Sequence, residues 1–190
     1  MAHANFAVFV DRDGTINVDV DYLSSPSQIQ LIPRSADAIR ELNELNIPVV
    51  VITNQSGIAR GFYSEEDLEA VHDAMDTMLR SSQATILAYY YCPHHPTDGI
   101  APFVKKCECR KPNAGMLLEA QKDFGFDLKR SFVVGDKCVD VQTGKSVGAV
   151  SVQVATGYGA AEKELCNGLR DYYALDLYDA VQFIKTKLNQ

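Results

Sequence analysis

At 190 residues, 46% of them hydrophobic and 23% charged, the chain has the make-up of an ordinary soluble domain, one able to bury roughly 70% of the surface its unfolded form exposes. A formal charge of -7 gives no electrostatic reason to bind nucleic acid or an anionic membrane, so any anionic substrate must be attracted by a local site. "MAHANFAVFVDRDG" has no basic leader region and its apolar run soon meets charge, so neither a secretory signal nor a membrane anchor is expected; five unevenly spaced cysteines agree with a cytoplasmic protein.

In chain order, the first strand candidate is "FAVFV" (6–10), which runs into "DRDGTIN". Residues two apart on a strand share a side, so Asp11 and Asp13 leave the sheet edge together and require a positive partner. "SADAIRELNEL" (35–45) places Ala38, Ile39, Leu42 and Leu45 on one helix face, with Ser35 as N-cap. "PVVVITN" (48–54) is the second strand. "SEEDLEAVHDAMDTML" (64–79) opens with a Ser64/Asp67 capping box and repeats apolar residues at Leu68, Val71, Met75 and Met78.

A third strand, "TILAYYYC" (85–92), leads into an irregular segment, 93–112, rich in Pro, His, Cys and Lys. "NAGMLLEAQKDFG" (113–125) reads as a helix stopped by Gly125. "SFVVGD" (131–136), the short helix "CVDVQTGKSVGA" (138–149) and the strand "AVSVQVAT" (149–156) follow. "DLYDAVQFIKTKL" (176–188) closes the chain as an amphipathic helix. Near-continuous apolar strands alternating with helices predict α/β: a doubly wound parallel sheet, one domain over 1–190, with its site beyond the carboxyl ends of the strands.

Those ends carry polar chemistry. Asp11 and Asp13 follow the first strand, Thr53, Asn54 and Ser56 end the second, and Asp136, Lys137 and Asp140 follow the fourth; "CRKPNAG" adds Arg110 and Lys111. A carboxylate approaching a phosphate dianion at ~4 Å meets about 8 kcal/mol of repulsion at an effective dielectric near 20. A phosphate site built on acids therefore requires a divalent cation and a lysine, and both signs are available.

"DRDGT", "TNQSG", the "RKP" lysine and "VGDK" together resemble the four signature motifs of the haloacid dehalogenase superfamily of phosphatases. Within it the chain is similar to the heptose 1,7-bisphosphate phosphatases and next to histidinol-phosphatase domains, with "DRDGTIN", "TNQSGIARG", "YYCPHHP" and "CECRKPNAGML" in order. The resemblance implies Asp11 as nucleophile and Asp13 as general acid and then base, with Thr53 and Lys111 on the transferred phosphoryl group. It implies Mg2+ on the Asp11 side chain, the Asp13 main-chain carbonyl and Asp136, with Asp140 supporting that shell through Lys137 or water. Asp19, Val20, Asp21, Tyr22, Asn54, Gln55, Ser56, Arg110 and Lys137 would line the substrate path. The expected reaction is removal of the C7 phosphate of a heptose bisphosphate, on the way to lipopolysaccharide or other surface sugars, by a monomer.

Cys92, His94, Cys107 and Cys109 form two close pairs across a short loop, a soft donor set of tetrahedral number that suits structural Zn2+. His95 competes with His94 on spacing; the Cys-x-His pattern and the resemblance favour His94. Arg110 and Lys111 follow Cys109 directly, so zinc would aim them. About forty residues between Asp13 and Thr53 leave no room for a cap domain, and loops 17–30 and 93–110 are expected to cover the site. Arg110, and less so Arg60, are expected on the non-reacting part of the substrate.

Histidinol phosphate is the rival substrate, with Asp19 and Asp21 available to an ammonium. A phospho-acceptor signalling domain is the rival of another class, though it would need neither Asp13 nor the zinc loop.

Overall fold

The computed structural model describes residues 4–189; the first three residues of the N-terminal segment discussed above lie outside the described residues. Six parallel strands form one sheet in the order β3-β2-β1-β4-β5-β6. In sequence they are β1 (Val8–Val10), β2 (Val49–Asn54), β3 (Ala88–Cys92), β4 (Phe132–Gly135), β5 (Val150–Val154) and β6 (Tyr172–Ala174). The helices are α1 (Ser35–Glu44), α2 (Glu65–Ser81), α3 (Gly115–Phe124), α4 (Cys138–Ser146) and α5 (Leu177–Leu188).

The near-continuous apolar strands are explained by burial on both faces. Val8 and Val10 of β1 and Val49 and Val51 of β2 point to one core with Ile39, Leu42, Met75, Val181 and Ile184 from α1, α2 and α5. Phe9, Val50 and Ile52 point to the other, against Met116, Leu117 and Ala120 of α3. α4 packs on this second side, where Ser151 Oγ donates to the Val141 carbonyl. β1 lies between β2 and β4, in register Val10↔Val51 and Val10↔Val134, so the residues after these three strands emerge side by side.

The five strands and five helices read from the sequence are all present, and four details differ. Leu45, expected on the buried face of α1, lies just past its last turn as the exposed C-cap residue. Ser35 is the first residue of α1, whose N-cap is Arg34 in the left-handed region at φ 66; the Ser35 hydroxyl is buried without a partner. Met78 faces outward, and α2 instead buries Leu79 and His72. β6 extends the sheet beyond β5, a strand hidden in a polar stretch because only three residues form it. The Ser64/Asp67 capping box and the Gly125 cap at φ 74 match the sequence reading.

The connections over the strand ends are loops. Residues 11–34 contain one 3-10 turn, Pro26–Gln28. The 93–114 segment docks on the 57–61 turn, where Ile100 N–H donates to the Ala59 carbonyl at 2.7 Å. No additional sheet or helical layer covers the site among the described residues.

Candidate active site

Asp11, directly after β1, meets Lys111 from the 93–114 segment and Asp136 and Asp140 from the end of β4 and the start of α4. Lys111 Nζ lies 2.7 Å from Asp11 Oδ1 and 2.6 Å from Asp140 Oδ1 and donates to the Ile52 carbonyl at 2.9 Å. Lysine and carboxylates are all buried. Burial pulls the Lys111 ammonium down, but Asp11 and Asp140 outweigh it and hold it above its ordinary value. Burial pushes the Asp11 carboxyl up, reinforced by Asp140 and opposed by Lys111. Asp136 is pushed up by burial and then by Asp11 and Asp140.

Asp11, Asp136 and Asp140 bring carboxylate oxygens within 4.8 Å of one another. Three carboxylates against the single ammonium of Lys111 leave the cluster two charges negative when ionised. Asp136 Oδ2 accepts the Tyr158 N–H at 2.8 Å, while Asp136 Oδ1 is buried with no partner. Two turns close over this carboxylate at Gly14 (φ +81) and Gly157 (φ +56), where a Cβ on either glycine would strike it. A hard-oxygen donor set with an unspent oxygen suits a small divalent cation.

Asp13 lies apart from that cluster. Its Oδ1 accepts from Arg12 Nε at 3.1 Å and Asn17 Nδ2 at 2.9 Å, and its Oδ2 from Arg12 Nη2 at 2.8 Å and Gln55 Nε2 at 3.0 Å. Burial pushes Asp13 up, but the Arg12 charge and these hydrogen bonds outweigh it and hold its carboxyl below the ordinary value. The two neighbouring acids therefore have separate cations: Lys111, one hundred positions away, for Asp11, and Arg12 between them for Asp13.

Thr53 Oγ1 accepts from Gln55 Nε2 at 2.8 Å, and Tyr63 Oη donates to Gln55 Oε1 at 2.5 Å. Gln55, expected on the substrate path, thus spends its buried side chain joining Thr53 to Asp13. Asn54 clamps the Lys111 backbone, accepting its N–H at 3.0 Å and donating to its carbonyl at 3.2 Å. Asp140 Oδ2 accepts the Lys137 N–H at 3.0 Å.

A cleft of about 320 Å³ opens above these groups, lined by Asp13, Asp19, Asp21, Tyr22, Asn54, Gln55, Ser56, Arg110, Lys111 and Lys137. A recess of about 80 Å³ beneath it reaches Asp11, Thr53 and Asp140. Val20 is exposed on the same loop. Lys137 Nζ pairs with Asp19 Oδ2 at 3.1 Å and lies 4.4 Å from the Tyr158 ring centroid. Arg60 pairs instead with Asp98 and lies 3.3 Å from His95 Nε2, which explains its absence from the cleft.

The structure adds Arg12 and Asn17, which hold Asp13, and Tyr63, Val139 and Tyr158, which line the cleft. Arg12 and Asn17 lie inside the quoted motif, but nothing in its spacing says that their side chains turn inward onto Asp13. Tyr63, Val139 and Tyr158 have no local signal, since their place depends on how distant turns meet.

Among the described residues a second metal-compatible cluster joins Cys92, His94, Cys107 and Cys109. The three sulfurs are 3.1, 3.3 and 3.5 Å apart, and His94 Nδ1 is 3.3 Å from Cys109 Sγ. A tetrahedron with Zn–S bonds of about 2.3 Å has edges of roughly 3.8 Å, a few tenths of an ångström wider. His95 faces away, its Nδ1 accepting from Asp98 N–H at 2.9 Å, and this decides between the two histidines. Arg110 Nη1 donates to the His94 carbonyl at 3.1 Å, tying the cleft to the cluster.

An HAD-hydrolase-like family model matches residues 108–180. The chain is 38% identical over 185 residues to a D-glycero-beta-D-manno-heptose-1,7-bisphosphate 7-phosphatase of Escherichia coli (strain K12), covering 97% of this chain and 96% of that one. It is 43% identical over 152 residues to the protein of that name from Yersinia pestis, 80% of this chain and 81% of the relative. A D,D-heptose 1,7-bisphosphate phosphatase from B. bronchiseptica, crystallised with magnesium and phosphate, superposes with a TM-score of 0.86 at 32% identity, covering 96% of this chain and 99% of the other. Similarity of this extent, with the signature motifs converging at one sheet edge, makes the chain a member of the heptose 1,7-bisphosphate 7-phosphatase family of HAD-like hydrolases.

Proposed function

We propose that the chain is a Mg2+-dependent phosphatase that removes the C7 phosphate of D-glycero-β-D-manno-heptose 1,7-bisphosphate, acting as a cytoplasmic monomer in surface-sugar synthesis. The observation that carries the reading is the buried grouping of Asp11, Lys111, Asp136 and Asp140 at the base of the cleft. No helix among the described residues is long and apolar enough to cross a membrane.

Asp11 attacks the C7 phosphorus in line with the sugar oxygen, forming an aspartyl-phosphate as the P–O bond to C7 breaks. Asp13, which Arg12 holds ionised before substrate arrives, takes up a proton when the negatively charged phosphate comes beside it, gives that proton to the departing alkoxide and then takes one from the water that hydrolyses the acyl phosphate. Lys111 and the Thr53 hydroxyl hold the equatorial oxygens. The Asp11 and Asp136 side chains and the Asp13 main-chain carbonyl would hold Mg2+, and the unpartnered Asp136 oxygen fits that role. When bound, the ion offsets the repulsion between nucleophile and phosphate.

Among the described residues, Arg110 is the cleft-lining cation with no carboxylate in ion-pair range, whereas Lys111 and Lys137 have theirs. Arg110 is accordingly assigned to the non-reacting phosphate, with Asp19, Val20, Asp21, Tyr22, Asn54, Ser56 and Lys137 around the sugar. Zn2+ on Cys92, His94, Cys107 and Cys109 would fill its four positions with protein and brace the loop that carries Arg110 and Lys111.

Phosphate release with Mg2+ tests the assignment, comparing both anomers of heptose 1,7-bisphosphate with histidinol phosphate and using Asp11→Asn as the blank. The expected result is a preference of tenfold or more in kcat/KM for the β bisphosphate, about 1.4 kcal/mol of transition-state binding. A preference for histidinol phosphate would overturn the substrate and leave the chemistry standing.

A further inference from the structure

Arg12 is a guanidinium with 0% of its surface exposed. A buried cation is tolerated only when its N–H groups all find acceptors. Nε and Nη2 are spent on Asp13, and Nη1 lies 3.3 Å from His72 Nε2 on α2. The imidazole is fixed in turn. It stacks on Tyr89 at a centroid separation of 4.2 Å and an interplanar angle of 17°, and the Tyr89 hydroxyl donates to Asp76 at 2.7 Å, one turn further along α2. Burial and then the Arg12 charge pull the His72 pKa down to about 3, so the ring is neutral, accepts at Nε2 and carries its proton on Nδ1.

We propose that His72 is a positioning residue of the reaction, acting through Arg12 to aim the Asp13 carboxylate at the leaving oxygen. This rests on the reading of Asp13 as acid and base. The fork of Arg12 sets the plane of the Asp13 carboxylate, and His72 sets the fork. Without an acceptor at position 72, Nη1 is left unsatisfied in a dry site, and the guanidinium turns toward another partner, taking Asp13 with it. The bland alternative, a histidine that merely fills the core, predicts a loss of stability with no effect on proton transfer.

The leaving group separates these cases. A sugar alkoxide needs a proton as it departs, whereas p-nitrophenolate, with a pKa of about 7, departs without one. His72→Leu and His72→Gln are compared with wild type in Mg2+-loaded enzyme. Steady-state kcat and KM are measured for heptose 1,7-bisphosphate, and the pre-steady-state burst for p-nitrophenyl phosphate. His72→Leu is expected to lower kcat on the sugar about tenfold with KM within twofold, leaving the nitrophenolate burst rate within twofold. His72→Gln, whose amide oxygen can accept from Arg12, recovers most of the loss. Equal losses on both substrates, or none on the sugar, would overturn the proposal.

Should the leucine variant not fold, the histidine nitrogen resonances of the wild type decide. An Nδ1–H tautomer at neutral pH is expected for His72, and an Nε2–H tautomer overturns the proposal. Wild-type enzyme that gives a burst with p-nitrophenyl phosphate but no turnover of the sugar would refute the substrate assignment alone.

Discussion

Lys111, proposed above to hold the transferred phosphoryl group, is also placed to matter for stability. Its ammonium donates to Asp11 at 2.7 Å and to the Ile52 carbonyl and forms an ion pair with Asp140 at 2.6 Å, all in a buried site. Removing one partner of such a cluster leaves unpaired charge in the interior, which typically costs 3–5 kcal/mol. Lys111→Met is therefore expected to lower unfolding free energy by about 3 kcal/mol in urea titrations without metal. Turnover should fall by roughly 10³-fold, the scale of a lost oxyanion donor. The type and position of Lys111, Thr53 and the aspartates could be read from the motifs. Which cation serves which acid could not, because Asp11 and Lys111 are one hundred positions apart and the Arg12 side chain could as well have faced water.

Two elements tie distant parts of the chain. The Cys/His cluster holds the end of β3 to residues 107–109, and Arg110 is anchored to the His94 carbonyl. Cys107→Ser is expected to release zinc and to cut kcat/KM on the bisphosphate by tenfold or more while every catalytic side chain remains. Full activity in a protein shown by metal analysis to lack zinc would remove the staple from the mechanism. On the opposite side, Glu41 of α1 accepts from Tyr178 at 2.9 Å, Gln182 at 2.8 Å and Lys185 at 2.9 Å, all on α5. Burial opposes its ionisation, but these bonds outweigh it and bring its pKa from 4.5 down to about 2. A folded-state pKa below the unfolded value stabilises the protein above the unfolded pKa, and this contribution is lost as pH falls from 4.5 through about 2. Glu41→Gln should cost about 1 kcal/mol at pH 7, and its unfolding curve should merge with that of wild type near the lower limit. The capping residues of α2 and α3 were plain in the sequence; the α1–α5 clamp was not, since its partners are separated by more than 130 positions.

For the molecule as a whole, the proposed substrate is a multiply charged anion while the chain carries a net charge of -7, and Arg110, Lys111 and Lys137 lie together around one cleft where a local attraction can act. The same site concentrates Asp11, Asp136 and Asp140, whose mutual repulsion the single ammonium of Lys111 offsets only in part. A Mg2+ ion held by these carboxylates in the folded form alone is expected to raise stability by about 2.7 kcal/mol at one hundred times its dissociation constant, seen as a rise in Tm. Asp136→Asn should abolish that rise. By removing a carboxyl whose ionisation is opposed by burial, it should also make the metal-free protein more stable than wild type by about 1 kcal/mol. A variant that still responds to Mg2+ would place the ion elsewhere.

By itself the sequence determined the alternation of strands and helices, the capping residues, the order of the motifs and the metal-ligating residue types. Each of these is written in neighbours within a few positions, where periodicity and turn chemistry act. Only the tertiary structure decided which histidine joins the cysteines and that β6 completes the sheet. It also decided that Gln55 braces Thr53 and Asp13, and that a buried Arg12 separates the two aspartates electrostatically. Those outcomes depend on side-chain directions and partners brought together from across the chain, and on the need of every buried charge to find a counterpart.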